Sequence, residues 1–386
     1  MEIYEYQIKA LLKKEGLPVL QGGIAYTPQE AEKTAEKLTC SEFIVKAQVF
    51  NSHRSKGYFQ ETPSSDESGI KIAQTPLEVK ASTANMLGKH LIMPDHPEIA
   101  HEIQKVYIEE FSPFDRFFAL SFFIDRLSQN IICTVKTDKD TQIQFELHNR
   151  KINAPIIRQI IKTVNFPKEY STRLNDLIRK LYRFFTNYDV LAFEINPITL
   201  NHKNELKILD ARIIFDSDAL FRFPEIASLV EVKPGLEREA QAHINNFRYI
   251  RQKGNIACLV NGAGLGLATI DAVHDGGGSV SCLLDVGTEP SKDAVSKAFK
   301  LALSEPDIDG ILVNIFGGIT RCDIIAQGLI EASKEISVGM PIVVRMDGTN
   351  ATIGMRLLFE SHLPFIVVRD MAEAVATVIT KTREVF

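Results

Sequence analysis

Apolar and polar positions follow two different textures along this chain. Up to about residue 234 the pattern is mixed, with strand-like, hairpin-like and helical stretches in irregular order. After Gly254 it becomes regular. Apolar, β-branched runs at 256–260, 279–285, 310–315, 341–345 and 365–368 predict strands. Segments at 267–273, 292–303, 323–334, 351–359 and 372–382 predict helices between them. Such alternation predicts an α/β domain of about 150 residues, a parallel sheet with helices on both faces, whose ligands bind beyond the carboxyl ends of the strands. The loops there are 261–266 (NGAGLG), 287–290 (GTEP), 317–320 (GGIT) and 347–350 (DGTN). Most are rich in Gly, Asn or Asp, and that clustering reads as an anion or phosphoryl site rather than as turn chemistry alone.

The stretch 310–323, GILVNIFGGITRCD, carries the strongest signal. A buried strand leads into Gly317 and Gly318, which let the backbone turn and approach a ligand. Thr320 is the expected N-cap of the next helix, with free N–H groups and a positive helix end facing whatever lies above the glycines.

In the first half, residues 1–19 read as an amphipathic helix on which Ile8, Leu11 and Leu12 share a stripe, stopped by Gly16 and Pro18. Residues 43–50 (FIVKAQVF) read as a strand with Lys46 and Gln48 opposite the apolar face; a lone strand lysine is usually solvated, but Arg54 and Lys56 follow closely enough to make a cationic grip on a nucleotide. The strand 106–110 ends in two acids, of which Glu109 can accept hydrogen bonds from a base or ribose. In 190–213, alternation puts Glu194 and Asn196 on one strand face, and a turn at 202–204 brings Asp210 back opposite Asn196. A carboxylate beside an amide oxygen is a hard, oxygen-only site suited to Mg²⁺ rather than Zn²⁺, unless it is merely an exposed polar pair on a hairpin. The tract 60–69 reads as a mobile surface loop, 230–235 as a linker, and 237–249 as a helix.

Composition narrows the class. Lys and Arg number 44 against 49 Asp and Glu, a net charge of -5, which carries no nucleic-acid footprint. Cys40, Cys133, Cys258, Cys282 and Cys322 are scattered without a CxxC pair, the pattern of reduced thiols in a cytoplasmic protein. Neither a membrane span nor a signal or transit peptide is expected.

Taken together, EYQIKALL, VKAQV, FEINPITL, ILDARIIFDSDALFR, GNIACLVNGAGLGLATIDAV, LDVG and LVNIFGGITRCDIIAQGLI, in that order, resemble the succinate–CoA ligase (succinyl-CoA synthetase) β-subunit family, essentially end to end. The resemblance implies an N-terminal ATP-grasp fold of two subdomains over 1–235, split near 105, and a flavodoxin-like CoA-ligase domain over 236–386. It implies a partner α subunit that holds CoA and a phosphorylated histidine, and reversible formation of succinyl-CoA from succinate, CoA and ATP or GTP. By similarity, Lys46, Arg54 and Glu109 fall on nucleotide-binding positions, Asn196 and Asp210 on Mg²⁺ ligands, and Asn261, Gly318, Ile319 and Thr320 on substrate-binding positions. None of the nine His residues sits in a motif that marks a phosphoryl carrier, and His274 reads as a surface residue.

The chain also departs from the family. His53 and Ser55 flank Arg54 where the family has glycines, Phe117 replaces a nucleotide-contacting glutamate, the second subdomain lacks the family's Glu-Gly-Gly segment, and the stretch 133–148 is shortened. Thr288, Glu289 and Pro290 stand where the family runs glycine after glycine. Losing one charged hydrogen-bond partner costs about 1.5–3 kcal/mol, which predicts nucleotide binding weakened roughly ten- to hundredfold. Three other readings stay open on the sequence: a malate-specific ligase, a β-like subunit with a decayed nucleotide site, and an NAD(P)-binding domain built on Gly262, Gly264, Gly266 and Asp285.

Overall fold

The opening helix runs over Glu5–Lys14, with Ile8, Leu11 and Leu12 buried. It stops where expected, because Gly16 takes a φ of +68° that side chains disfavour. This is a computed structural model, and it describes all residues except 51–53, 63–66, 149–150, 233–235, 337 and 385–386. His53 and the middle of the 60–69 tract therefore lie outside the described residues, as does half of the 230–235 stretch. The chain divides into two compact units, Met1–Glu231 and Val232–Phe386.

The first unit has two cores. An antiparallel sheet, in the order Gly22–Ala25, Val106–Glu110, Phe43–Ala47, Ile70–Ala73, is backed by helices Pro28–Lys37 and Pro76–Met86. Thr27 and Thr75 cap these helices by accepting from the N–H groups of Glu30 and Glu78, and a proline begins each. Ala25, Val45, Val106 and Ile108 build the first core. A larger antiparallel sheet runs Gln142–Leu147, Asn130–Thr137, Phe114–Asp125, Val190–Asn201, Leu206–Ile208, with Ala211–Phe215 also paired to Val190–Asn201. Helices Glu5–Lys14, Ala154–Val164 and Ser171–Asn187 supply Ile8, Ile160 and Leu181 to its core. The chain crosses from one core to the other at 111–113, a few residues beyond 105.

The second unit is one six-stranded sheet in the order Arg248–Arg251, Val280–Asp285, Ile256–Val260, Gly310–Gly317, Ile342–Gly348, Phe365–Val368. All neighbours are parallel except the first strand. Helices Ala263–Asp275 and Met371–Arg383 cover one face; Lys292–Leu303, Cys322–Glu335 and Ala351–Glu360 cover the other. From Ile256–Val260 the chain next joins the sheet on one side, and from Gly310–Gly317 on the other, so the crevice between these two strand ends is the topological switch point. One expectation fails here. The helix expected over 237–249 ends at Ile244, Asn246 adopts a φ of +60°, and Arg248–Arg251 becomes the antiparallel edge strand. Asn tolerates that left-handed conformation, which propensity alone does not announce. No helix among the described residues is long and apolar enough to cross a membrane.

Candidate functional site

The hairpin of the first unit brings its two expected oxygen donors together. Ile195 pairs with Ala211 and Ile198 with Ile208, leaving Leu209 and Asp210 between the two return strands. Asn196 N–H donates to the Asp210 carbonyl at 3.2 Å, so the two residues stand directly opposite. Both face a cavity of about 80 Å³ whose polar lining also includes Glu5, Arg54, Glu194 and Arg212. Asp210 Oδ1 accepts the Ala211 N–H at 2.8 Å and Oδ2 accepts Arg54 Nη2 at 2.9 Å. A carboxylate has about four acceptor sites, so both oxygens retain capacity for a metal. The donors are carboxylate and carboxamide oxygens only, which fits Mg²⁺. Among the described residues there is no cluster of three or more His, Cys, Asp or Glu able to hold a metal, so such an ion would depend on Asn196, on water and on a ligand's own oxygens.

Beneath the cavity lies a closed charge network of three acids, Glu5, Glu109 and Asp210, and three bases, Lys9, Lys46 and Arg54. Lys46 Nζ donates to Glu5, to Glu109 and to the Leu209 carbonyl, each at 2.9 Å. Lys9 bridges Glu5 at 3.0 Å, reaches the Leu209 carbonyl at 2.6 Å and pairs with Glu109. Arg54 pairs with Glu5 as well as Asp210, and its Nη1 donates to the Ala47 carbonyl at 3.0 Å. Burial opposes ionisation of Glu5, but Arg54, Lys46 and Lys9 outweigh it and hold the carboxyl well below its usual range. Burial likewise works against charged Lys9 and Arg54, yet the acids beside them raise both pKa values.

Lys46 departs from the usual solvated strand lysine. It is 4% exposed, and both oxygens of the fully buried Glu109 are taken by lysines. Only Arg54 of the three expected nucleotide residues lines the cavity. Glu5 and Lys9 escaped sequence reasoning, although a signal exists. They sit four apart on the face of the opening helix that also carries Ile8 and Leu12, where solvated charges do not belong. Phe117 sets its ring edge-on to Phe114 at 5.8 Å.

In the second unit the glycine turn is tied to its neighbours. Asn261 holds the Phe316 backbone from both sides, accepting its N–H and donating to its carbonyl, each at 2.9 Å. It also donates to Thr320 Oγ1 at 2.7 Å, and Thr320 donates to the Thr288 carbonyl at 2.7 Å. Asn261 and Thr320 are thus buried ties between strand ends, whereas Gly318 and the 65% exposed Ile319 form the rim. Thr320 is not the helix cap. Arg321 takes that position, and the Cys322 N–H donates to the Thr349 carbonyl, so this helix amide is already paired. Arg321 beside Asp323 pulls that carboxyl down to about 2. Above the strand ends, a Cβ placed on Gly262, Gly264, Gly287, Gly317 or Gly318 would meet nothing within 4 Å, so these positions stand open to a ligand. Asp285 Oδ1 accepts the N–H groups of Gly262 (2.6 Å) and Gly287 (2.9 Å). That carboxylate organises the glycine loops.

Residues 2–200 match the ATP-grasp domain family and residues 259–379 the CoA-ligase family, so the chain is an ATP-grasp protein with a CoA-ligase domain behind it. It is 36% identical, over 100% of both chains, to the succinate–CoA ligase [ADP-forming] subunit beta of Rhodospirillum rubrum. Identity to the protein of the same name from Caulobacter vibrioides is 34%, over 99% of each. The chain belongs to the succinate–CoA ligase β-subunit family. A solved structure of ATP citrate lyase from Methanothrix soehngenii, in complex with citrate and coenzyme A, superposes with a TM-score of 0.78 over 98% of this chain and 99% of that one. At 15% identity this is a likeness of fold.

Proposed function

We propose that the chain is the β subunit of an ADP-forming succinate–CoA ligase. The first unit binds ATP with Mg²⁺. The γ-phosphoryl group passes to a histidine of an α partner, leaving ADP; phosphohistidine then gives succinyl phosphate with succinate, and CoA displaces phosphate to form succinyl-CoA. The observation that carries this reading is the Asn196–Asp210 pair facing one small oxygen-lined cavity with Arg54 beside it. Phosphoryl transfer asks for positioning and charge neutralisation more than covalent help.

In this reading Asn196 and Asp210 hold the metal, with Glu194 on the same strand face, and Arg54 meets the phosphates. Lys46 and Glu109 act one layer below, fixing Arg54 and Asp210 through Glu5 and the Leu209 carbonyl. The nucleoside end takes the larger groove of about 470 Å³ toward the hairpin turn, lined by Gln21, Glu42, Glu110, Asn201 and Lys207. In the second unit the backbone at Gly318 and Ile319 receives the acid or phosphoryl group, and Asn261 and Thr320 hold that turn. Phe316 and Ile319, 54% and 65% exposed beside the open glycines, give an α partner an apolar rim to cover. The names of the relatives favour ATP over GTP and succinate over malate.

The test is thioester formation by the chain together with its α partner, supplied with succinate, CoA, ATP and Mg²⁺. Succinyl-CoA and ADP are expected in equal amounts. No thioester with either ATP or GTP sinks the reading.

A further inference from the structure

The last residue of the first unit is held by the first helix of the chain. Glu231 Oε1 accepts the Tyr6 hydroxyl at 2.6 Å and Gln7 Nε2 at 3.2 Å, and Oε2 pairs with Lys105. Gln7 Nε2 also donates to the Leu229 carbonyl at 2.9 Å, so one side chain ties down two residues of the returning segment. Lys105 is buried, its side chain 4% exposed, among three tyrosine rings. Its Nζ lies 4.1 Å from the centroid of Tyr4, 5.7 Å from Tyr6 and 5.8 Å from Tyr26. Ring faces attract a cation but carry no net charge, so a buried lysine still needs a carboxylate, which Glu231 supplies. Burial and that carboxylate push the Tyr6 hydroxyl pKa up, which keeps it a donor. The clamp grips the turn of helix that serves the phosphate cavity. Tyr4 is the N-cap of Glu5–Lys14, and Gln7 Oε1 accepts its N–H at 2.8 Å. Successive helical side chains stand roughly 100° apart, so Tyr6 and Gln7 reach Glu231 while Glu5 reaches the charge network. There Glu5 pairs with Arg54, which lines the cavity beside Asn196 and Asp210. A second tie joins the same parts: the Tyr6 N–H donates to Gln48 Oε1 at 3.4 Å, and the Gln48 N–H to the Lys105 carbonyl at 3.1 Å.

We propose that Glu231 is a positioning residue for the phosphoryl-transfer half of the reaction, fixing the first helical turn so that Glu5 holds Arg54 in place at the cavity. This rests on the acid–CoA ligase reading above. In that reading Glu231 touches neither nucleotide nor metal. It acts through geometry, and a misplacement of about 1 Å caused far from the reacting groups can cost about a hundredfold in rate. Without the Glu231 charge, Lys105 loses the partner that makes its burial tolerable, and the helix start loses the anchor that Tyr6 and Gln7 provide.

The experiment uses the complex with the α partner and follows phosphorylation of the partner histidine from two directions. One supplies ATP and Mg²⁺ alone. The other supplies succinyl-CoA and phosphate, which release CoA and reach the histidine through succinyl phosphate, without nucleotide. Glu231→Gln keeps the size and removes the charge; it should lower the initial rate from saturating ATP roughly ten- to hundredfold. The rate from succinyl-CoA should be unchanged, which also certifies that the variant folds and pairs. Glu231→Asp should recover part of the ATP rate. Tyr6→Phe removes only a hydroxyl and should lower the ATP rate by a smaller factor while sparing the other direction, and it carries the test if Glu231→Gln does not fold. An unaltered ATP rate in these variants overturns the proposal alone, as does an equal fall in both directions, the mark of a merely structural residue. Absence of labelling from ATP in the unsubstituted complex overturns the ligase reading and this proposal with it.

Discussion

Glu5 meets Lys9, Lys46 and Arg54 with two oxygens, and all four side chains are nearly buried. Removing one partner of a buried ion network leaves the others uncompensated, at a cost of about 3–5 kcal/mol. Glu5→Gln should therefore lower the unfolding free energy of the first unit by about that amount in urea titrations at neutral pH. The sign of the pH dependence follows from the depressed pKa of this carboxyl. Its contribution is complete above the unfolded value of about 4.3 and is lost as pH falls from there toward the folded value. Wild-type stability should thus drop on acidification below about pH 4.5, and Glu5→Gln should show a shallower drop; equal slopes would remove Glu5 from the network. At this scale the sequence was legible in part. The facing of Asn196 and Asp210 follows from strand parity and turn position. The burial of Lys46, Arg54 and Glu109 does not, because it depends on Glu5 and Lys9, which reach the site from a helix far away in the chain.

At the scale of elements, the glycine turn separates two roles that sequence treats alike. Gly348 packs on Gly317 so tightly that an added Cβ would lie 2.1 Å from the Gly317 carbonyl oxygen, at a φ of +132°. Gly318 has open space instead and no left-handed φ. Gly348→Ala should destabilise the second unit by about 2–4 kcal/mol through clash and strain together. Gly318→Ala should stay within about 0.5 kcal/mol of wild type while its methyl group obstructs the acid site and lowers kcat/KM. Thermal unfolding beside steady-state kinetics checks both, and a destabilised Gly318→Ala of normal activity would reverse the assignment. The strands and helices of this unit were readable because their apolar runs are regularly spaced and, in the central strands, almost wholly buried. The edge strand Arg248–Arg251 was not: a single left-handed Asn246 sets it off from the helix before it. The role of Thr320 was missed for a similar reason. Its hydroxyl bonds across strand ends to Asn261 and Thr288 rather than locally to the helix it precedes.

At the scale of the molecule, two units have separate cores, and the proposed function gives each one half of one reaction. On the proposed function nucleotide binds the folded first unit, so ATP with Mg²⁺ at a hundred times its Kd should stabilise that unit by about 2.7 kcal/mol in calorimetry. A chelator should cancel the shift, and a shift indifferent to the chelator would take the metal out of the site. Of the departures from the family, Phe117 packs on a neighbouring ring, and His53 lies outside the described residues. The most direct test of the whole account is transfer of label from γ-labelled ATP to the α partner's histidine, with and without Asp210→Ala. The account predicts an acid-labile phosphohistidine that forms only with Mg²⁺ and falls at least a hundredfold in initial rate, about 2.7 kcal/mol of barrier, when Asp210 is replaced. An equal rate of labelling in the Asp210→Ala complex, or none in the unsubstituted one with either ATP or GTP, would contradict it.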